Sequence, residues 1–244
     1  MPCQRPRMFY GWLVVGCTLV AMALSAGTDR SFGVVVIPLS AQFGWSRATL
    51  STVVLVTGVV SSLFQFMIGV LVDRCGPRYV LGAGVACLGV TVWLLTMATT
   101  IWQFGVAYGV LGGLGLAAAR QVVAATLVGN WFLLRRGLVQ GMVGSAGAPG
   151  EMLVVPLNLF LERDYGWQHM YRSMGTVLLL GVLPYIWAVV RNRPEDIGLH
   201  PYGTTAPRRA ATTGPSRPAD GIPFRQARTQ PQTWVLKVNI PGAR

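Results

Sequence analysis

The sequence predicts an all-α integral membrane protein, a bundle of six transmembrane helices over residues 9–190 with a disordered tail over 191–244. Three observations predict it. Only 11% of the 244 residues are charged and 52% are hydrophobic, whereas a soluble domain carries about 25% charged residues. Six apolar stretches are long enough for a crossing, which takes roughly 20 residues. The basic residues are shared very unevenly between the two sets of connecting segments. Lipid is therefore the expected solvent for much of the surface.

The six stretches run at about 9–28, 49–71, 79–100, 102–126, 138–161 and 173–190. The first begins after a basic head, MPCQRPRM, and ends on small residues near Ala26, a pattern shared with cleaved signal peptides. Apolar sequence resumes at once in FGVVVIPL, so the segment is read as the first helix, continuing through Phe32 to Pro38 with a tilt or bend. Gly and Pro recur inside the spans, as membrane helices tolerate.

The formal charge of +12 has two readings, nucleic acid or topology, and position decides between them. Fifteen Lys and Arg residues fall in the segments on the side of the N-terminus, four on the opposite side, and Arg120 lies within a span. The positive-inside rule then places both termini in the cytoplasm, with the chain in the cell membrane. Lipid bilayer, not nucleic acid, is the expected partner. The four cysteines show no paired spacing and no grouping with His169 or His200, so neither a disulfide nor a metal site is expected, and no cofactor. H-E-x-x-H, Walker and G-x-S-x-G motifs are absent, which argues against an enzyme. Residues 1–8 form a short cytoplasmic lead. The Pro- and Arg-rich segment 191–244 has no run able to cross a membrane and the composition of a disordered tail.

An internal repeat is visible. Leu71-Val-Asp-Arg-Cys-Gly76 closes the second span and Leu161-Glu-Arg-Asp-Tyr-Gly166 closes the fifth, with Leu and Gly in step. The offset is one three-helix unit, and an odd number of helices inverts the second copy. Inverted repeats of this kind are typical of secondary transporters.

The densest knot of charge is GVLVDRCGPRYVL, Gly69 to Leu81. A very short connection calls for Gly76 and Pro77 in the turn. Asp73 lies at a helix C-terminus, where the dipole disfavours an anion, so it needs a cationic partner from Arg74, Arg78 or the Arg135–Arg136 pair. A solvated loop would explain the arginines but not the Asp and the glycines.

These residues carry a resemblance. Gly69-x-Leu71-x-Asp73-Arg74-x-Gly76-x-Arg78 resembles the loop signature of the major facilitator superfamily at each defined position, in the expected place between helices 2 and 3. The resemblance implies the N-terminal half of that fold, built from 3+3 inverted repeats, with Asp73 in charge contacts that hold the cytoplasmic side shut. Trp131-Phe-Leu-Leu-Arg135-Arg136-Gly-Leu138-Val-Gln-Gly141 followed by GSAGAPG resembles the monocarboxylate porter and oxalate/formate exchanger group. So do Phe9-Tyr-Gly11-Trp12, FGWSRATLS, YGWQHMY and RPEDIGLHP. The antiporter signature of helix 5 is partly echoed by Gly144, Gly147, Pro149 and Gly150, and Gly109 occupies roughly the place of the superfamily's helix 4 arginine. The resemblance covers about residues 8–203.

It implies secondary transport of a small organic anion, a mono- or dicarboxylate, by alternating access with proton or anion coupling. Arg30 aligns with the basic residue that monocarboxylate porters carry on helix 1, and a cation there offsets an anionic substrate. Burying an arginine alone costs about 2.5–3.5 kcal/mol at mid-membrane. The alternative is that Asp29-Arg30 merely ends the first helix. Arg120, deep in the fourth span, either lines the cavity or snorkels to the inner surface, the latter slightly favoured. Glu151 in the fifth span is expected to be protonated or paired, which suits a proton site. Asp29, Arg30, Arg120 and Glu151 are thus the substrate and coupling candidates. Gly69, Asp73, Arg74, Gly76 and Arg78 form the gate motif, with Arg135 and Arg136 as inner-loop charge partners. The sequence reads as one half of such a transporter, truncated, with a second six-helix half or a second copy as its required partner. The competing expectation is a non-transporting membrane fragment or accessory subunit.

Overall fold

The computed structural model describes residues 10–132 and 136–192. Among them every regular element is helical. Helix α1 (Tyr10–Arg30) bends at Ser31 into α2 (Phe32–Phe43), and together they form one apolar span. The Ser31 hydroxyl donates to the Gly27 carbonyl and accepts from buried Asn158, and such back-bonding bends helices. Helix α3 is Arg47–Cys75 and α4 is Pro77–Leu95. The next span, Ile101–Trp131, strings together α5 (Ile101–Phe104), a π-helical stretch Gly105–Gly112, α6 (Gly113–Ala119) and α7 (Gln121–Trp131).

The apolar segment expected at 138–161 is split in two. Helix α8 (Arg136–Gly144) and α9 (Gly147–Tyr165) meet at a turn, because Pro149 has no N–H to give the carbonyl four residues back. Five helical segments among the described residues are long and apolar enough to cross a membrane; α9 is long enough but carries Glu151, Glu162, Arg163 and Asp164, so α8 and α9 run beside the five as a broken and more polar sixth. The last span, Trp167–Val189, contains α10 (Trp167–Thr176), a second π-helical stretch and α11 (Leu183–Val189).

The repeat read from two short strings extends over the whole bundle. Helix α3 ends at Cys75 and α9 at Tyr165, while α4 starts at Pro77 and α10 at Trp167, each pair 90 residues apart. Both turns pivot on a glycine with positive φ, +88° at Gly76 and +82° at Gly166. With ψ near 150° and 162° only glycine is at ease there. The Gly76 turn sits at the end of the bundle where α1 begins, against Asn192. The Gly166 turn sits at the other end, where Trp167 Nε1 donates to Gln42 at 2.8 Å. The two units are therefore inverted.

Packing obeys the same symmetry. Helix α1 packs most extensively on α9, and its counterpart α6 packs on α3. At the first crossing a Cβ on Gly150 would run into the Ala23 backbone; at the second, a Cβ on Gly113 would stand 2.9 Å from Val60 Cγ1 and 3.1 Å from the Thr57 carbonyl. Ala23 and Gly113 are 90 residues apart, as are Val60 and Gly150. Small residues let membrane helices approach closely where burial of apolar surface gives no net drive.

Candidate functional site

Three of the breaks in these helices border one place. The Ser31 bend, the interruption at Arg120 and the α8–α9 turn surround a cavity of about 400 Å³, lined by Asp29, Arg30, Gln65, Arg120, Gln121 and Glu151 among others. Arg120 is where α6 stops and α7 starts, with φ −89° and ψ −175°. Two grooves of about 750 and 530 Å³ elsewhere have predominantly apolar linings without a charged side chain, the surface a membrane helix offers to lipid.

The sequence placed four ionisable residues in or near the spans, and the fold brings all four together. Arg30 Nε donates to Glu151 Oε1 at 3.2 Å. Arg120 Nη2 donates to Asp29 Oδ2 at 3.4 Å. The Tyr108 hydroxyl donates to the Asp29 carbonyl oxygen at 3.2 Å and lies 3.5 Å from Oδ1. Two cations meet two anions, so the cavity is neutral as built, and the Arg120 head group is held by Asp29 in the cavity instead of snorkelling. Both contacts are single-point and longer than the 2.7–2.9 Å of a strong charge-assisted bond. The arginine side chains remain 67% and 46% exposed, with most of their donors open to a further acceptor. Among the described residues no cluster of His, Cys, Asp and Glu could hold a metal ion.

The turn motif has a separate geometry. The Arg78 backbone N–H donates to Asn192 Oδ1 at 3.0 Å, its guanidinium donates to the Trp187 carbonyl, and its Cζ lies 5.3 Å over the Trp187 ring. Asn192 also accepts at its carbonyl from Asn130, while Trp131 Nε1 donates to the Arg191 carbonyl. Gly76 and Arg78 thus tie the α3–α4 turn to the ends of α7 and α11. Asp73 and Arg74 are exposed, and no ion pair joins Asp73 to another described residue. A Cβ on Gly69 would meet open space. Arg136 is exposed, its guanidinium beside Gly129. Arg135, like the segments 1–8 and 193–244, lies outside the described residues.

The sequence profile of the Major Facilitator Superfamily matches residues 18–241. The chain belongs to this superfamily. An uncharacterised MFS-type transporter of Bacillus subtilis (strain 168), YcxA, is 26% identical over 190 residues, 78% of this chain and 46% of the relative. Monocarboxylate transporter 2 of Homo sapiens is 27% identical over 240 residues, 94% of this chain and 45% of the relative. Monocarboxylate transporter 14 of Homo sapiens is 27% identical over 173 residues, 70% of this chain and 33% of the relative. The chain spans less than half the length of these relatives. Superfamily members are multi-pass membrane transporters, and the helices described above are the apolar spans that such a protein requires.

Within the superfamily frame, three polar residues joined the site without being singled out in the sequence. Tyr108 orients Asp29, while Gln65 and Gln121 add amide groups to the cavity wall. Gln65 carried a weak signal, as the lone amide in an otherwise apolar and hydroxylic span. Tyr108 carried none, since a tyrosine in a membrane helix is as well explained by packing.

Proposed function

We propose that this chain supplies one six-helix unit of a secondary active transporter for a small organic anion, with the Arg30 cavity as its share of the substrate site. The observation that carries the reading is the meeting of two arginines and two carboxylates in one cavity bounded by three helix breaks. Broken helices around a mid-bundle site are where secondary transporters bind substrate. Ionisable groups inside a membrane are expensive unless they serve a pathway. A carboxylate ligand presents two oxygens to a guanidinium fork and competes with Glu151 for Arg30. The monocarboxylate transporters among the relatives support an organic anion as cargo.

Alternating access needs a second unit opposite the cavity, from the same polypeptide, another chain or a second copy. Residues Asp73 and Arg74, left exposed beside the Gly76 turn, are the groups that such a unit would meet. The membrane is the cell membrane, with the Arg78 end cytoplasmic. The test is binding and uptake of labelled lactate and oxalate by the full chain, in detergent and in liposomes. Saturable binding that Arg30→Ala removes supports the reading, whereas binding that ignores Arg30→Ala sinks it. Binding without uptake favours an accessory role for the chain on its own.

A further inference from the structure

Arg30 and Arg120 are 90 residues apart, the spacing that relates Cys75 to Tyr165, Pro77 to Trp167 and Gly76 to Gly166. They occupy the same position in the two inverted units. Both lie at a break, although the backbone differs: Arg30 is the last helical residue of α1 before the Ser31 bend, and Arg120 is itself the extended residue between α6 and α7. Their counter-ions do not share this symmetry. The position equivalent to Glu151 is Ser61, and the position equivalent to Asp29 is Ala119. The cations are thus placed by the repeat, and each carboxylate is an addition made on one side only.

Resting on the anion reading above, we infer that the cavity is a two-arginine clamp for a small dicarboxylate, one carboxylate on Arg30 and the other on Arg120. A pseudo-twofold pair of cations matches a ligand that is itself close to twofold. Each arginine now spends one N–H on a long, single-point contact with its own acid, while a ligand carboxylate engages a guanidinium through two parallel bonds. The dicarboxylate therefore displaces Glu151 from Arg30 and Asp29 from Arg120, and Gln65 and Gln121 stand in the same wall as neutral donors. The volume of about 400 Å³ lies at the small end of ligand sites and has room for a short-chain diacid. A monocarboxylate engages one arginine and leaves the other on its internal acid.

The test compares lactate with oxalate, malonate and succinate by ligand-dependent thermal shift and equilibrium binding on the full chain in detergent. The expected result is that one diacid binds about tenfold or more tighter than lactate, the worth of an added charged hydrogen-bonded contact. Arg120→Gln is expected to bring the diacid-to-lactate preference down to about one, and Arg120→Lys to restore part of it, with helicity by circular dichroism confirming that both variants fold. A diacid preference that Arg120→Gln leaves intact overturns the clamp. Lactate binding as tightly as every diacid overturns it too, while leaving the anion site standing. If no acid binds at all, the anion reading itself fails.

Discussion

Gly150 lies backbone to backbone with Ala23, so close that a Cβ would overlap the Ala23 Cα and carbonyl. Glu151 follows in the next position and reaches Arg30, two turns further along α1. The tightest helix crossing in the bundle therefore sets the reach of an ion pair in the cavity. Gly150→Ala is expected to lower stability by about 1–3 kcal/mol, the usual cost of overpacking. In the adjoining helix a Cβ on Gly141 would meet open space. There, Gly141→Ala should be neutral or stabilising by up to about 1 kcal/mol, the helix-propensity difference. Thermal unfolding in detergent separates the two, and equal effects would contradict the close approach.

The paired turns permit a second comparison. Gly76 and Gly166 share nearly the same backbone angles, but a Cβ on Gly76 would stand 2.6 Å from Asn192 Nδ2, while one on Gly166 would meet open space. Gly166→Ala isolates the strain of the positive φ, about 1–3 kcal/mol. Gly76→Ala should cost more, because it also pushes Asn192 off the Arg78 N–H. Asn192→Gly alone should cost the Arg78 N–H bond, and adding Gly76→Ala to it should then cost no more than the strain. Unfolding midpoints of the four variants form the cycle. Identical losses for Gly76→Ala and Gly166→Ala would remove Asn192 from the account.

These comparisons show how far the sequence could be read. The six apolar segments and the glycine turns were legible because composition and turn chemistry act locally. The repeat was visible at Leu71–Gly76 and Leu161–Gly166 alone, since its other matches are positional: Ala23 answers Gly113 and Gly150 answers Val60, with unlike residues exchanging the role of the small partner. The equivalence of Arg30 and Arg120 was hidden for the same reason. The break at Arg120 was also hidden, because AAARQ is built of strong helix formers and no Gly or Pro marks the spot. With the helix taken as continuous, Arg120 had no evident partner, and snorkelling was the natural expectation. The break at Ser145–Ala146 had its sign in Pro149.

Glu151 competes with an incoming carboxylate for Arg30, so removing its charge has a predictable sign. Glu151→Gln should tighten binding of a monocarboxylate by about fivefold, equivalent to ~1 kcal/mol for a half-exposed pair. The same change should alter unfolding stability by less than about 1 kcal/mol, since Arg30 and Glu151 are 67% and 38% exposed at their side chains. Isothermal titration with lactate on the two proteins checks the first part and thermal unfolding the second. Weaker binding in Glu151→Gln would mean that Glu151 contacts the ligand instead of competing with it.

Cys75 gives a direct reading of orientation. It is exposed beside the Gly76 turn, whereas Cys17 is buried and Cys87 is half-buried with its Sγ 3.2 Å from the Leu111 carbonyl. In a Cys3→Ser background, Cys75 should be the thiol that a membrane-impermeant maleimide modifies. The orientation proposed above puts the Cys75 end of the bundle in the cytoplasm, as the positive-inside rule reads from the sequence. Cys75 should therefore be labelled in inside-out vesicles and protected in intact cells. Ala41 lies exposed near the opposite end of the bundle, so Ala41→Cys with Cys3 and Cys75 changed to Ser should give the reverse pattern. Labelling of both positions from one face would contradict the inversion of the two units, and a swapped pattern would overturn the proposed orientation while keeping the fold.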